Sequence, residues 1–282
     1  GMLSDVHLNT QNSYYSDSFT DFDSALKFFN SSEVNVAFTC TCGDITEHGT
    51  ESELAKYQEI VRANPSTPVY TTTGNHDATD SGINEALWKQ YTGYGLTYEV
   101  SKTLPNGKTD HYLFLGMSVW NFAEAYTSAN LMWLKSRLEA YKNERCFVIT
   151  HLFFPDGAGN LLGIYPEGNW LRGVQLNALK DLRERYVNSI WFSGHSHWAF
   201  DSQFVDPTPG KTNYDKNIDD KDGTFATMVH IPACSTPRVL VGSGNNRSEG
   251  YIVHVYETCI ILEGYEFVQG ETFAYATYII QR

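Results

Sequence analysis

No stretch of the 282 residues approaches the roughly 18 consecutive apolar residues of a membrane-spanning helix, so no such span is predicted. Basic side chains are scarce: 20 Lys and Arg stand against 33 Asp and Glu, a net charge of −13. Binding a long nucleic-acid backbone needs a basic stripe and draws affinity from counterion release, so that partner is not expected. Cysteine is sparse and odd in number, with five residues, and Cys40, Cys146 and Cys259 lie inside apolar runs. They read as core thiols, not a disulfide framework. Cys40-Thr41-Cys42 is too closely spaced for a zinc knuckle, and no second pair follows it. Internal repeats, low-complexity tracts and a signal peptide are also missing. Gly1 ahead of Met2 resembles a cloning remnant, which leaves the natural start open, and with it the choice between a cytoplasmic and an exported protein.

What is present is apolar material for a large core: 41% of residues are hydrophobic and 14% aromatic, suited to one large domain or one domain with an appendage. Pro68 to Thr73 is a β-branched run that reads as a short buried strand and stops at Gly74-Asn75-His76-Asp77. A strand that ends in glycine releases its next side chains at the carboxyl end of the sheet, where sites in open α/β folds lie. A solvated turn would use the same residue types, so the tetrapeptide alone decides nothing. Four other stretches repeat the arrangement: Asp5-Val6-His7, Gly43-Asp44, His151, and Gly194-His195-Ser196-His197.

Between these stretches strands and helices alternate. Phe22, Ala25, Leu26 and Phe29 fall at helical spacing within Thr20 to Asn30, and Val34 to Cys40 reads as a strand that delivers Gly43-Asp44. Thr50-Glu51-Ser52-Glu53 has the form of a capping box, and helices are predicted over Asn84 to Tyr91, Ala129 to Tyr141 and Val174 to Tyr186. Asn106-Gly107 signals an antiparallel hairpin between Leu96 and Val119. Cys146 to Thr150 is a continuous apolar run that fits a strand buried on both faces. Leu152 to Leu171 is a long loop suited to a substrate-facing wall. Asp206 to Gly223 is a polar insert. Its Asp215-Lys216-Asn217-Ile218-Asp219 resembles the start of a calcium loop, but Asp220 replaces the required glycine. Phe225 to Ile280 reads as strands with no helix between them. Residues 1–224 are therefore taken as the domain that holds the site, and 225–282 as a β-rich segment completing it.

Collected at the strand ends, Asp5, His7, Asp44, Asn75, His151, His195 and His197 supply two carboxylates, four imidazoles and one amide. That set suffices for two metal ions sharing a bridging carboxylate, and mixed nitrogen and oxygen ligation favours Mn, Fe or Zn over Mg or Ca. With two divalent ions, two aspartates and a hydroxide, the site keeps one positive charge, which suits a phosphate ester.

The ordered blocks D-x-H, G-D, G-N-H-D, a lone H and G-H-x-H, spanning Asp5 to His197, resemble the calcineurin-like metallophosphoesterase family. The resemblance implies two mixed β-sheets packed face to face and flanked by helices, an α/β fold of four layers. It further implies that Asp5, His7, Asp44 and His197 hold one ion while Asp44, Asn75, His151 and His195 hold the other. His76 is then the acid or phosphate contact, oriented by Asp77. Glu47 stands where many relatives have a second aspartate, which is closer to the cyclic-nucleotide and glycerophosphodiester branch. The implied activity is hydrolysis of a small phosphodiester by a hydroxide that bridges two metals. A phosphomonoesterase or nucleotide pyrophosphatase of the same family is the alternative, and a non-catalytic metal-binding scaffold for a protein partner is the alternative of another class. Oligomeric state is left open. His111, His230 and His254 match no block and read as packed or surface histidines, and His48 as a helix-entry residue. Arg172 and Arg238 follow the loops beside the cleft; a phosphate contact is weighed for each against surface salt bridging. The brevity of the first strand leads to the expectation that Asp5 and His7 are held less firmly than the other ligands.

Overall fold

The computed structural model describes residues 1–11, 15–78, 82–160, 171–205, 214–219, 223–240, 242–244 and 246–281. Its first half runs β1 (Met2–Leu3), α1 (Ser18–Phe29), β2 (Thr39–Thr41), α2 (Glu51–Ala63), β3 (Val69–Thr71), α3 (Glu85–Thr92), β4 (Thr97–Thr103), β5 (Thr109–Leu115) and α4 (Ser128–Ala140). There follow β6 (Arg145–Thr150), α5 (Gly173–Arg185), β7 (Ile190–Ser193), α6 (Phe200–Gln203), β8 (Phe204–Val205), β9 (Tyr214–Asp215), β10 (Ile218–Asp219), β11 (Thr227–His230), β12 (Glu249–Val255), β13 (Cys259–Glu266) and β14 (Glu271–Gln281). No helix among the described residues is long and apolar enough to cross a membrane.

Two six-stranded sheets result, ordered β14-β13-β12-β1-β2-β3 and β10-β11-β7-β6-β5-β4. Both are mixed: β1, β2 and β3 run parallel, as do β5, β6, β7 and β11, while β12 to β14 and β4 pair antiparallel. The β-rich C-terminal stretch thus serves both sheets: β11 joins β7 in one, and β12 to β14 extend the other beyond β1.

Side-chain alternation explains the layering. On β5, Tyr112 and Phe114 point into the core between the sheets while Leu113 and Leu115 point to the opposite face. On β6, Phe147 and Ile149 do the former, Cys146 and Val148 the latter. The outer face meets Leu134 and Leu138 of α4 and Leu179 and Leu182 of α5. Helices α1 to α3 cover the other sheet through Phe22, Leu26, Leu54, Tyr57 and Trp88. A run with no polar alternation is what a strand buried on both faces requires. The capping box of α2 is formed in full, with Thr50 accepting from the Glu53 backbone and Glu53 from that of Thr50.

Two expectations need correction. The strand predicted over Val34 to Cys40 is only Thr39–Thr41. Asn35 turns into the left-handed region (φ 44°), and Val34 and Val36 become half-buried cover for the core under α1. The start of the chain is also not loosely held. Although β1 has two residues, backbone bonds continue the ladder beyond it: Cys42 N–H donates to Leu3 O (2.8 Å), Asp5 N–H to Gly43 O (3.1 Å), His7 N–H to Asp44 O (2.9 Å) and Leu8 N–H to Ile45 O (3.0 Å). Asp5 and His7 are fully buried. The resemblance of 215–219 to a calcium loop ends in two short strands, and 220–222 lie outside the described residues, as do 161–170 of the long loop and 206–213 of the polar insert.

Candidate metal centre

The carboxyl ends of β1, β2, β3, β6 and β7 bring the predicted ligands to one place. Backbone geometry there is unusual. Of the eight described non-glycine residues with positive φ, five are Asp5 (50°), His7 (51°), Asp44 (50°), His195 (70°) and His197 (61°). Each such residue costs on the order of 1–2 kcal/mol, so strain is concentrated where the side chains must be aimed. Gly74 sits against Asp44 so closely that a Cβ would collide with its carboxylate, which explains the glycine after β3.

Two buried side-chain groups adjoin, and a third, His7, Glu47 and His76, lies beside the first. Asp5, His7, Asp44 and His197 present ligand atoms within 4.8 Å of one another, and Asp44, His151 and His195 do the same. In the first, His7 Nε2 lies 3.1 Å from His197 Nε2, and His197 Nε2 lies 3.1 Å from Asp5 Oδ1. In the second, His151 Nε2 lies 3.1 Å from Asp44 Oδ2, 3.1 Å from Asn75 Oδ1 and 3.2 Å from His195 Nδ1. Asp44 belongs to both groups.

The hydrogen bonds behind these atoms test whether cations fit. His151 Nδ1 is 2.7 Å from the Cys42 carbonyl, which only accepts, so the proton is on Nδ1 and Nε2 faces the cluster. His7 Nδ1 is likewise spent on Glu47 Oε2 at 2.6 Å, aiming Nε2 inward. Asp44 Oδ1 accepts the His76 backbone N–H (2.8 Å), whereas buried Oδ2 makes no hydrogen bond of acceptable geometry. Lone pairs converging on a buried, orphaned carboxylate oxygen fit a divalent cation. Without one, a proton takes that place: burial favours the neutral ring, but the charge of Asp44 3.1 Å away outweighs it and raises His151 to about 9. Burial opposes ionisation of Asp5 and Asp44 as well, yet the surrounding imidazoles hold both carboxyls well below the usual range.

Asp77 is placed differently from the expectation that it orients the His76 ring. Its Oδ1 accepts from the Thr46 backbone N–H (2.9 Å) and hydroxyl (2.8 Å), and its Oδ2 from the Gly74 N–H (2.8 Å). Burial and the charge of Asp44 raise Asp77 to about 7. The side chain ties the loop after β3 to the loop after β2. Glu47 occupies the place assigned to it: His76 Nδ1 donates to the Glu47 carbonyl (3.0 Å) and lies 3.4 Å from its carboxylate. Glu47 therefore steadies His7 and His76 together, and those hydrogen bonds, with the charges of His7, His76 and His48, overcome its partial burial and lower its carboxyl.

Aromatic rings unmarked by the motifs complete the surroundings. Tyr15 stacks on His7 at 4.3 Å, with its hydroxyl 3.4 Å from His197 Nδ1. Trp120 leans on His76 at 4.6 Å, and Phe122 on His195 at 5.0 Å. Arg238 is exposed; its backbone N–H donates to His197 O (2.7 Å), which places it beside the site, whereas Arg172 caps α5 and donates its N–H to Phe122 O (3.3 Å). The remaining histidines have structural partners: His48 and Glu53, His111 and Glu144, His254 and Glu263, and buried His230 with Ser196 and the Trp198 carbonyl. Two cavities of about 580 and 430 Å³ lie at the opposite ends of β6 and β7, around Asn143, Glu144 and Asn188, away from this chemistry.

Comparison with known proteins agrees with this arrangement. A family model described as calcineurin-like phosphoesterase matches residues 1–199. Among solved structures, a purple acid phosphatase, PPD1, from yellow lupin (Lupinus luteus) seeds superimposes with a TM-score of 0.63 at 13% identity, covering 100% of this chain and 53% of that one. The chain thus spans about half the length of that relative, and the likeness is one of fold. TT1561 of Thermus thermophilus (TM-score 0.47, 8% identity, 99% and 96% covered) and Yfce, a phosphoesterase from E. coli (0.41, 10%, 99% and 98%), also match. No curated protein matches in sequence.

Proposed function

The chain belongs to the calcineurin-like phosphoesterase family, whose chemistry is metal-dependent hydrolysis of phosphoesters, and we propose that within it this chain is a phosphodiesterase with two divalent transition-metal ions, Mn, Fe or Zn. Asp5, His7, Asp44 and His197 would hold one ion and Asp44, Asn75, His151 and His195 the other. The observation that carries this reading is the convergence of these donors into two groups that share Asp44. Bound there, the ions would supply a nucleophilic water and neutralise charge on the phosphoryl oxygens.

The chain's own residues do the rest. As the oxygen of a water that has given up one proton to solvent bonds to phosphorus and the opposite P–O ester bond breaks, His76 gives its proton to the leaving alkoxide, releasing an alcohol and a phosphate monoester, and the ring recovers a proton from solvent. Its Nδ1–H is spent on Glu47, so Nε2 is the atom that carries the transferred proton. The Glu47 carboxylate disfavours a dianionic monoester at the rim relative to a monoanionic diester. Residues 225–282 act with the same catalytic domain in this reading: the Ser235 N–H donates to Asp5 O and the Arg238 N–H to His197 O.

The test is turnover of a chromogenic aryl phosphodiester and the matching monoester by the Mn²⁺-loaded protein. Diester turnover, abolished by chelation, is expected to exceed monoester turnover. Two bound ions per chain with no turnover of either ester would identify a metal-binding scaffold instead. Glu47→Gln is expected to weaken metal binding or activity by about 10–100-fold, the usual cost of removing a group that orients a ligating histidine. Metal titration by calorimetry checks this, and an unchanged isotherm together with unchanged turnover would remove Glu47 from the site.

A further inference from the structure

The Trp120 indole is 45% exposed, whereas Trp88 and Trp191 are buried to 2%. An exposed indole beside a reaction centre calls for a use. Its ring centroid lies 4.6 Å from that of His76 with the planes inclined by 58°, so the contact is tilted and does not cover the indole face. The loop that carries it is fixed. Ser118 N–H donates to Ala125 O (2.7 Å), Ile83 N–H to Ser118 O (3.1 Å), and Phe122 O accepts from Gln175 Nε2 (2.5 Å). Phe122, two residues on, packs on His195. The platform is therefore in place before any ligand arrives, which reduces the ordering cost of binding.

Position relative to His76 sets what the platform meets. On the reading of His76 as the acid of the leaving group, the departing oxygen lies at the His76 ring, and whatever that oxygen bears extends past it to Trp120. A planar, uncharged ring gains most there, because every base has a π-face and stacking on an aromatic side chain tolerates any base. We propose that Trp120 is the stacking platform for the nucleobase of the leaving group, and that the substrates are phosphodiesters of nucleosides. This rests on the assignment of His76 and adds the substrate class to it.

The test is equilibrium binding, which does not depend on turnover. The probes are methyl esters of an adenosine phosphonate in which a methylene replaces the leaving oxygen, so that the bond to the nucleoside cannot be cleaved, together with the same compound bearing hydrogen or phenyl in place of adenine. Calorimetry on the Mn²⁺-loaded protein is expected to show the adenine compound bound about 10- to 100-fold more tightly than the abasic one, the range stacking supplies per base. Trp120→Ala should collapse that ratio, and Trp120→Phe, which keeps a smaller ring, should preserve part of it. A wild-type ratio near one, or a ratio unchanged in Trp120→Ala, overturns the proposal. Equal losses on both ligands would overturn it too, by making Trp120 a support for His76 alone. Equal binding of the phenyl and adenine compounds would overturn the nucleoside assignment. Turnover of the corresponding esters is measured in parallel. A ratio that collapses in Trp120→Ala without any turnover supports stacking and removes the hydrolytic reading, whereas turnover with a ratio of one does the reverse.

Discussion

Asp44→Asn is expected to strip metal from both groups and lower diester turnover by about 10³-fold or more, since metal-ion stabilisation is worth several kcal/mol and each 1.4 kcal/mol is tenfold. The substitution keeps the shape and the Oδ1 acceptor that holds the His76 backbone N–H, so the loop after β3 should stay in place. It removes the charge that both groups share. It also exchanges the orphaned Oδ2 for an amide whose N–H₂ can donate to the His151 Nε2, 3.1 Å away in the native chain. Without metal the variant loses the pairing of the Asp44 charge with protonated His151, which that amide hydrogen bond offsets in part, so the melts of the two proteins in chelator should lie close together. With metal the wild type pulls ahead, as only it gains binding energy on folding. Elemental analysis after loading and dialysis, with thermal melts in Mn²⁺ and in chelator, reads both effects. Two ions retained per chain would show that Asp44 bridges nothing, and a large loss of stability in chelator would make its carboxylate a structural group.

That one carboxylate can be singled out reflects how much of the site is written in short motifs. The gathering of Asp5, His7, Asp44, Asn75, His151, His195 and His197 in one place was legible because each lies just past a short strand-like run, and the carboxyl ends of β1, β2, β3, β6 and β7 meet across the two sheets. The layers were legible for a related reason: the apolar run in β6 reports burial on two faces and the alternation in β13 burial on one. What the sequence hid depends on chain paths between elements. Trp120 and Phe122 reach His76 and His195 only because the loop after β5 folds over the strand ends, and Tyr15 reaches His7 from the segment before α1. Nothing periodic marks those positions. Asp77 was misread because adjacency in sequence suggested contact with His76, whereas the turn after Gly74 points the carboxylate back to backbone donors. The left-handed backbone at five of the clustered positions was equally invisible, since Asp and His carry no signature of positive φ comparable to that of glycine.

His76→Ala gives the other large effect, and its size should depend on the ester. A general acid works at the leaving oxygen, so its removal costs more as that oxygen becomes more basic. Hydrolysis of an alkyl or nucleoside diester should fall by about 10²–10⁴-fold, the range of general acid catalysis, while an activated aryl diester should lose far less. Metal content should stay at the wild-type level, because His76 reaches the shared aspartate only through its backbone N–H, which alanine retains. Steady-state rates across a series of leaving groups give the dependence directly. Glu47→Gln should steepen it in the same direction, since the His76 Nδ1 faces that carboxylate, although its effect on His7 adds a loss common to all esters. Equal losses across the series would make His76 a contact to the non-bridging phosphoryl oxygens, which do not sense leaving-group basicity. Loss of an ion would make it a ligand, and the assignment of Asn75 to the second group would then give way to its neighbour.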